Sequence, residues 1–321
     1  MTKIIIYLGS KCNLNCPYCH RESSEKEEHI SDELINFLKQ GEYSIVFKGG
    51  EPTLYMDDIK KIVDNVKAAE FTVHTNGVLL NQYMSYFQEH NFKILISYDG
   101  NDIRKFEPFA FLMGYRNIGV SCTLSHKNIN IEKILDDFGR YSLFTGSYLF
   151  FYPHFVHYTN KDNQEYALTD SEYDSVFEQY KKCLNNYLSD IVRFKIINKR
   201  YEGLFKGLRY VLHNDYQYGE TFCANSRCLR VDTNGNRFNC LYIRNTILQD
   251  DWLECQQNLI DREFPLCKIC SVYDMCGAGC VKSLYHDREC RFYKKMYSWF
   301  KEWYRKNYLI LEGAKDEKRS L

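Results

Sequence analysis

The chain has 321 residues, 42 Lys and Arg against 42 Asp and Glu, and 14 cysteines. A formal net charge of zero gives no bulk electrostatic reason to bind nucleic acid, and no apolar run approaches the ~20 residues of a membrane span. Fourteen cysteines without a secretory signal point to metal in a reducing cytoplasm rather than to disulfides.

Residues 1 to about 155 alternate strand and helix. Short β-rich runs fall at Ile4–Leu8, Ser44–Phe47, Phe71–His74, Lys93–Ser97, Gly119–Leu124 and Tyr148–His154. Longer stretches between them, Ser31–Lys39, Asp57–Ala69 and Asn128–Phe138, read as helices. Ser31 with Glu33, and Asp57 with Asp58, place caps and acids at helix starts. The alternation predicts βαβ units and a parallel sheet. Functional residues placed after successive strands predict a barrel active at its C-terminal face. Two further helices are expected near Asp170–Leu188 and Ile196–Leu212. Past Cys290, the residues Phe292, Met296, Trp299 and Trp303 recur at helical intervals among Lys294, Lys295, Lys301 and Arg305. This predicts an amphipathic helix docked on the protein, with disorder from Gly313 onward.

The most informative loop is Lys11-Cys12-Asn13-Leu14-Asn15-Cys16-Pro17-Tyr18-Cys19. Its C-x3-C-x2-C spacing offers three thiolates and leaves one iron of a four-iron cluster open to a small molecule. Gly49-Gly50-Glu51-Pro52 follows the second predicted strand, Thr75-Asn76-Gly77 the third, and Ser97-Tyr98-Asp99-Gly100 the fourth. Together these motifs resemble the radical S-adenosylmethionine (radical SAM) enzymes. The resemblance implies a partial (β/α)6 TIM barrel and a [4Fe-4S] cluster on Cys12, Cys16 and Cys19. It also implies S-adenosylmethionine held near Tyr18, Gly49, Gly50, Glu51, Pro52, Ser97 and Asp99. In that family a reduced cluster cleaves the cofactor, and the 5′-deoxyadenosyl radical takes a hydrogen atom from the substrate.

A second cysteine-rich region comprises Cys223, Cys228, Gly235 and Cys240, then Cys267, Cys270, Cys276 and Cys280, then Cys290. The spacing alone is open to two zinc sites. Behind the first loop it resembles the SPASM extension of protein-modifying radical SAM enzymes, most closely the anaerobic sulfatase-maturing members. That resemblance implies two auxiliary [4Fe-4S] clusters, one on Cys223, Cys228, Cys240 and Cys280, the other on Cys267, Cys270, Cys276 and Cys290. If Cys228 is only a buried thiol, the first auxiliary cluster keeps an open iron. The expected division is a barrel with linker helices over 1–213 and a small cysteine-rich auxiliary-cluster domain with a C-terminal helix over 214–321. Cys122, Cys183 and Cys255 are left over; packing is their simplest use, and hydrogen-atom donation to a substrate radical is the alternative.

The function expected from these resemblances is radical modification of a ribosomally made peptide, forming a thioether or carbon–carbon crosslink. Formylglycine formation ranks second, because Leu241 stands where the sulfatase-maturing enzymes carry an Asp and His74 where they carry a Gln; peptide epimerisation follows. An external donor such as flavodoxin or ferredoxin would supply electrons. With the first cysteine at position 12, no leader-binding winged helix is expected ahead of the barrel. A separate leader-peptide-binding protein, or the barrel itself, would present the substrate.

Overall fold

The computed structural model describes residues 2–19, 29–98, 112, 114–145, 151–156, 161–218, 220, 227–238, 252–280, 283 and 285–316. Seven strands form one sheet: β1 (Lys3–Tyr7), β2 (Ser44–Lys48), β3 (Glu70–Thr75), β4 (Lys93–Tyr98), β5 (Ile118–Leu124), β6 (Phe151–Phe155) and β7 (Cys228–Val231). Their order is β6-β5-β4-β3-β2-β1-β7, and every pairing is parallel. The helices are α1 (Asp32–Leu38), α2 (Met56–Asn65), α3 (Leu80–Glu89), α4 (Ile131–Thr145), α5 (Asp170–Phe194), α6 (Lys199–Leu212), α7 (Trp252–Glu263), α8 (Tyr273–Cys276) and α9 (His286–Asp316). This is the α/β, partial-barrel arrangement expected. No helix among the described residues is long and apolar enough to cross a membrane.

Strand alternation assigns the two faces. Ile4, Ile6, Ile45, Phe47, Val73, Ile94 and Ile96 are buried beneath α1, α2 and α3 in one apolar cluster. Tyr98, Val120, Cys122, Leu124 and Phe155 are buried beneath α4, α5, α6 and α9 in a second. Ile5, Val46 and Leu95 belong to neither cluster and face the concave side.

β1 to β5 lie within one residue of the predicted runs, and β6 falls on the last predicted run, whose residues 148–150 lie outside the described residues. Several features differ from expectation. Helix α3 follows the Thr-Asn-Gly turn directly, and β7 adds a seventh strand beside β1 from the cysteine-rich stretch past residue 213. The third is Asp58, which lies in the first turn of α2 but does not cap it: its carboxylate accepts from Ile30 N at 2.9 Å and pairs with His29 Nδ1 at 3.2 Å. α2 itself stops at Asn65 because Val66 turns extended, and α9 carries Gly313 inside its last turns rather than in a disordered tail. Ser31 does cap α1, accepting from Leu34 N.

Residues after β7 fold back onto the first βα unit. Ser31 N donates to Thr233 O at 3.0 Å, and Gly235, at φ +85, lies against Leu34. α9 seats Phe292, Met296, Phe300 and Trp303 in the cluster shared with α5 and α6, consistent with the amphipathic periodicity.

Candidate active site

The cysteine loop leaves the C-terminal end of β1 and is latched to the next strand's turn chiefly through the backbone. Gly50 N donates to Gly9 O at 2.7 Å and Glu51 N to Lys11 O at 2.7 Å. A Cβ on Gly50 would stand 2.1 Å from Lys11 O, and one on Gly49 would stand 2.7 Å from Gly9 O. Both positions therefore require glycine by close approach of two backbones. Tyr55 completes the latch, its hydroxyl accepting from Lys11 N at 2.8 Å.

Glu51 is 1% exposed, yet its carboxylate has four donors. Oε1 accepts from Thr53 N, Thr53 Oγ1 and Thr75 Oγ1 at 3.0, 2.6 and 2.7 Å, and Oε2 accepts from Asn76 N at 2.7 Å. A buried carboxylate is tolerated when its lone pairs are filled in this way. Glu51 thus ties the turn after β2 to the turn after β3. Pro52 opens a 3-10 turn over Pro52–Tyr55, with Glu51 as its cap. Asn76 carries the tie on to the cysteine loop, its Nδ2 donating to Asn13 Oδ1 at 2.7 Å and lying 3.8 Å from Cys12 Sγ. Leu14 N also donates to Cys12 Sγ, at 3.5 Å. N–H donors aimed at sulfur are the supporting contacts that a metal-bound thiolate uses.

Cys16 is buried, Cys12 half-buried and Cys19 exposed. Tyr18 is buried against Cys16, Val156, Tyr166 and Tyr285, with its ring 5.7 Å from that of Tyr166. Ser97 lies on β4 on the concave face. Asp99, Cys223 and Cys240 lie outside the described residues, as does the side chain of Cys255.

The second cysteine group forms a pocket lined by Cys267, Cys270, Cys276, Cys280 and Cys290. The space among them comes to about 390 Å³ when the solvent in its open mouth is included. Burial, then the neighbouring Cys290 and Cys270, pushes the Cys267 thiol up to about 11. Burial and the same neighbours, with Cys267, push Cys276 still higher; burial and Cys270 raise Cys290, against the pull of Lys294 and Arg291. Cys267, Cys270, Cys276 and Cys290 line one pocket, although among the described residues no group of three or more His, Cys, Asp or Glu side chains is drawn close enough to hold a metal ion. As thiolates they would repel in a site of low polarity, and a metal–sulfur cluster would supply the positive charge they lack. Local backbone explains the convergence. Cys267 sits on a 3-10 turn that Pro265 opens, Cys276 ends α8, and Gly277, Ala278 and Gly279 follow in left-handed conformations that turn the chain back toward α9. His286 holds that turn, its Nε2 2.9 Å from Ala278 O and its ring stacked on Phe264 at 3.8 Å. Glu289, 2% exposed and bonded to Ser283 Oγ at 2.6 Å, is pushed up to about 7 by burial.

Cys228 opens β7 opposite Lys3. Cys122 and Cys183 are fully buried in the cluster under α4 and α5, away from the concave face, and burial pushes the Cys183 thiol up to about 11. The sequence reading did not single out Lys48 or Arg230, the concave-face cations of β2 and β7; strand alternation next to the Gly-Gly-Glu-Pro turn was the signal for Lys48.

Residues 6–125 match the Radical SAM superfamily. A probable GTP 3',8-cyclase of Methanococcus maripaludis is 39% identical over 84 residues, 23% of this chain and 28% of that protein. An uncharacterized protein of Methanocaldococcus jannaschii is 27% identical over 280 residues, 82% of this chain and 90% of its own length. A radical SAM cyclopropyl synthase of Paramaledivibacter caminithermalis is 28% identical over 125 residues, 30% of this chain and 26% of that enzyme. The chain thus spans just over a quarter of the length of the cyclase and the synthase.

Proposed function

We propose, from the premise that residues 6–125 are a radical SAM domain, that the chain modifies a peptide by radical chemistry and forms a thioether or carbon–carbon crosslink. The observation that carries this reading is the pairing of two cysteine constellations in one fold. One is a three-thiol loop latched to the Gly-Gly-Glu-Pro and Thr-Asn-Gly turns, and the other is a pocket walled by Cys267, Cys270, Cys276 and Cys290. Cys12, Cys16 and Cys19 would hold the cofactor-binding [4Fe-4S] cluster, and the second region two more. Cluster and S-adenosylmethionine supply the 5′-deoxyadenosyl radical when bound. The chain's own part is placement: Glu51, Thr75 and Asn76 fix the loop, and Tyr18 with Tyr166 packs against its buried cysteine.

The relative named a cyclopropyl synthase favours the carbon–carbon outcome over formylglycine formation. The relatives named GTP 3',8-cyclases favour a nucleotide as the second reading. A neutral chain with no spanning helix among its described residues fits a cytoplasmic enzyme served by a separate one-electron donor. Anaerobic reconstitution tests the proposal. About twelve irons per chain are expected, falling by about four in a Cys12/Cys16/Cys19→Ala variant that also loses 5′-deoxyadenosine production. Zinc in place of iron would overturn it. Product formed from GTP, with none from any short peptide encoded beside the gene, would move the assignment to the nucleotide reading.

A further inference from the structure

The two longest helices end together with apolar side chains uncovered. α5 and α9 run in parallel: Asp170 and Asp174 pair with Arg291 and Lys295, and Trp303 Nε1 donates to Asn185 Oδ1 at 2.9 Å. Carried on, this register brings Val192 level with the turn of α9 that holds Leu309 and Ile310, and their neighbours Ile191 and Leu311 are buried in one core. Val192, Phe194 and Ile196 at one helix end, with Tyr308, Leu309 and Ile310 at the other, make up more than half of the large apolar side chains exposed among the described residues. Phe194 is 64% and Leu309 84% exposed. Cations are interleaved with them. Arg193 and Lys195 alternate with the apolar residues of the α5 end, and Arg305 stands one helical turn before Leu309. Among the described residues these three cations enter no ion pair, whereas the acids nearby are taken: Asp190 by Asn198, Glu302 by Lys306 and Glu312 by Arg209.

This end lies far from the cysteine loop. His126, just past the C-terminal end of β5, bonds Glu172 in the first turn of α5 at 2.6 Å. α5 therefore starts beside the edge of the sheet where the cysteine loop springs from β1, and its 25 residues carry it roughly 37 Å away. α9 likewise begins next to Tyr285, which touches the cluster of Cys16 and Tyr18. Whatever binds the far end leaves the concave face open.

We propose that the joint end of α5 and α9 docks the chain reversibly on an anionic lipid surface, with Phe194, Ile196 and Leu309 entering the headgroup boundary and Arg193, Lys195 and Arg305 meeting lipid phosphates. Apolar and aromatic side chains flanked by cations match both layers of that boundary, and each cation near an anionic surface adds to the attraction. A second copy of the chain fits less well, because a two-fold contact would set the same unpaired cations against one another. The inference is independent of the peptide reading, since docking is measured without turnover.

The test floats the full reconstituted chain anaerobically with vesicles of phosphatidylcholine, alone or with roughly one-third phosphatidylserine. Binding to the anionic vesicles is expected to be at least about tenfold stronger than to the neutral ones, and to weaken as salt rises. The double variant Arg193→Gln/Lys195→Gln should weaken it roughly twentyfold and Phe194→Ser roughly tenfold, with thermal melts unchanged. Lys67→Gln, an exposed cation just past α2 on the other apolar cluster, should bind as the unaltered chain does. No binding to anionic vesicles, equal binding to both compositions, or binding that survives the double variant and Phe194→Ser overturns the proposal. A dimer in sedimentation velocity that Phe194→Ser dissolves, without vesicle binding, overturns it and gives the surface to a second copy. Tighter binding of polyglutamate than of anionic vesicles, lost in the same variants, overturns it in favour of an acidic polypeptide.

Discussion

Replacing Glu51 by Gln changes one atom and removes one charge at the junction of three motifs. In the native chain Oε1 takes three donors and Oε2 takes Asn76 N–H at 2.7 Å. If the amide oxygen of Gln occupies the Oε1 position, its NH2 group faces the Asn76 N–H, donor against donor. If the amide is flipped, three donors lose their acceptor instead. The first arrangement costs less, yet it leaves a buried N–H unsatisfied, worth about 1–3 kcal/mol, and weakens three charge-assisted bonds. Glu51 is 1% exposed, so solvent does little to compensate. The expected loss is about 2–4 kcal/mol of folding stability, read by urea denaturation of the metal-free chain under reducing conditions. Because Asn76 also contacts Asn13 and Cys12, the variant should retain less iron on the Cys12 loop while the second cysteine region keeps its share. A Glu51→Gln chain with native stability and native iron on the loop would refute the tie between the turns.

Gly50→Ala drives a Cβ to within 2.1 Å of a backbone oxygen that cannot swing away, and should cost about 2–4 kcal/mol, whereas Gly139→Ala on α4, with nothing near its Cβ, should be neutral or stabilising by up to about 1 kcal/mol in thermal melts. Glu289 binds its proton more tightly folded than unfolded, so its carboxyl subtracts stability as pH rises from about 4.5 through about 7 and no further above that. In the metal-free chain Glu289→Gln should remove a pH-dependent loss of about 3 kcal/mol across that window, and parallel stability–pH curves for the two chains would contradict the burial argument. Alkylation of the native metal-free chain at pH 8 should label the exposed Cys19 well before Cys183, whose buried thiol titrates near 11. Mass-spectrometric mapping that found Cys183 modified first would show the cluster under α5 to be open. Cys276→Ala should lower reconstituted iron by about four per chain while S-adenosylmethionine binding persists.

Strand positions were legible because β1 to β5 are buried on their helix-facing side and carry dense β-branched or aromatic runs such as Ile4-Ile5-Ile6 and Phe71-Thr72-Val73. α3 was not legible: its buried positions are only Leu80, Met84 and Phe87 in a stretch rich in Asn, Gln and Ser, and the turn motif before it draws the eye. β7 has four residues, and its strand character comes from pairing with β1, a contact far off in sequence. Asp58 looks like a cap because acids favour helix starts. Its actual partners, His29 and Ile30, come from the approach to α1. The cysteines of the second pocket could be grouped from spacing and resemblance, but what gathers them, the left-handed run Gly277 to Gly279 and the His286 tether, is a matter of backbone conformation that residue types only partly fix.

The described parts of the two cysteine regions share one sheet and one core. β7 completes the sheet beside β1, the strand that launches the Cys12 loop, and the turn after it packs on α1 through Thr233 and Gly235. From the other side, Tyr285 touches the cluster of Cys16 and Tyr18 just before α9 begins, and α9 then carries Cys290 into the second pocket and Phe292, Met296 and Phe300 into the core shared with α5. Surface ion pairs such as Arg291 with Asp170 and Lys295 with Asp174 follow the same α5–α9 seam but add little individually. The apolar contacts carry the join. A shift of α9 would therefore be felt both at Cys290 and at Tyr285, and through Tyr285 at the buried cysteine of the first loop. The position of the cysteine loop over the concave face is set as much by the last third of the chain as by the strand from which it springs.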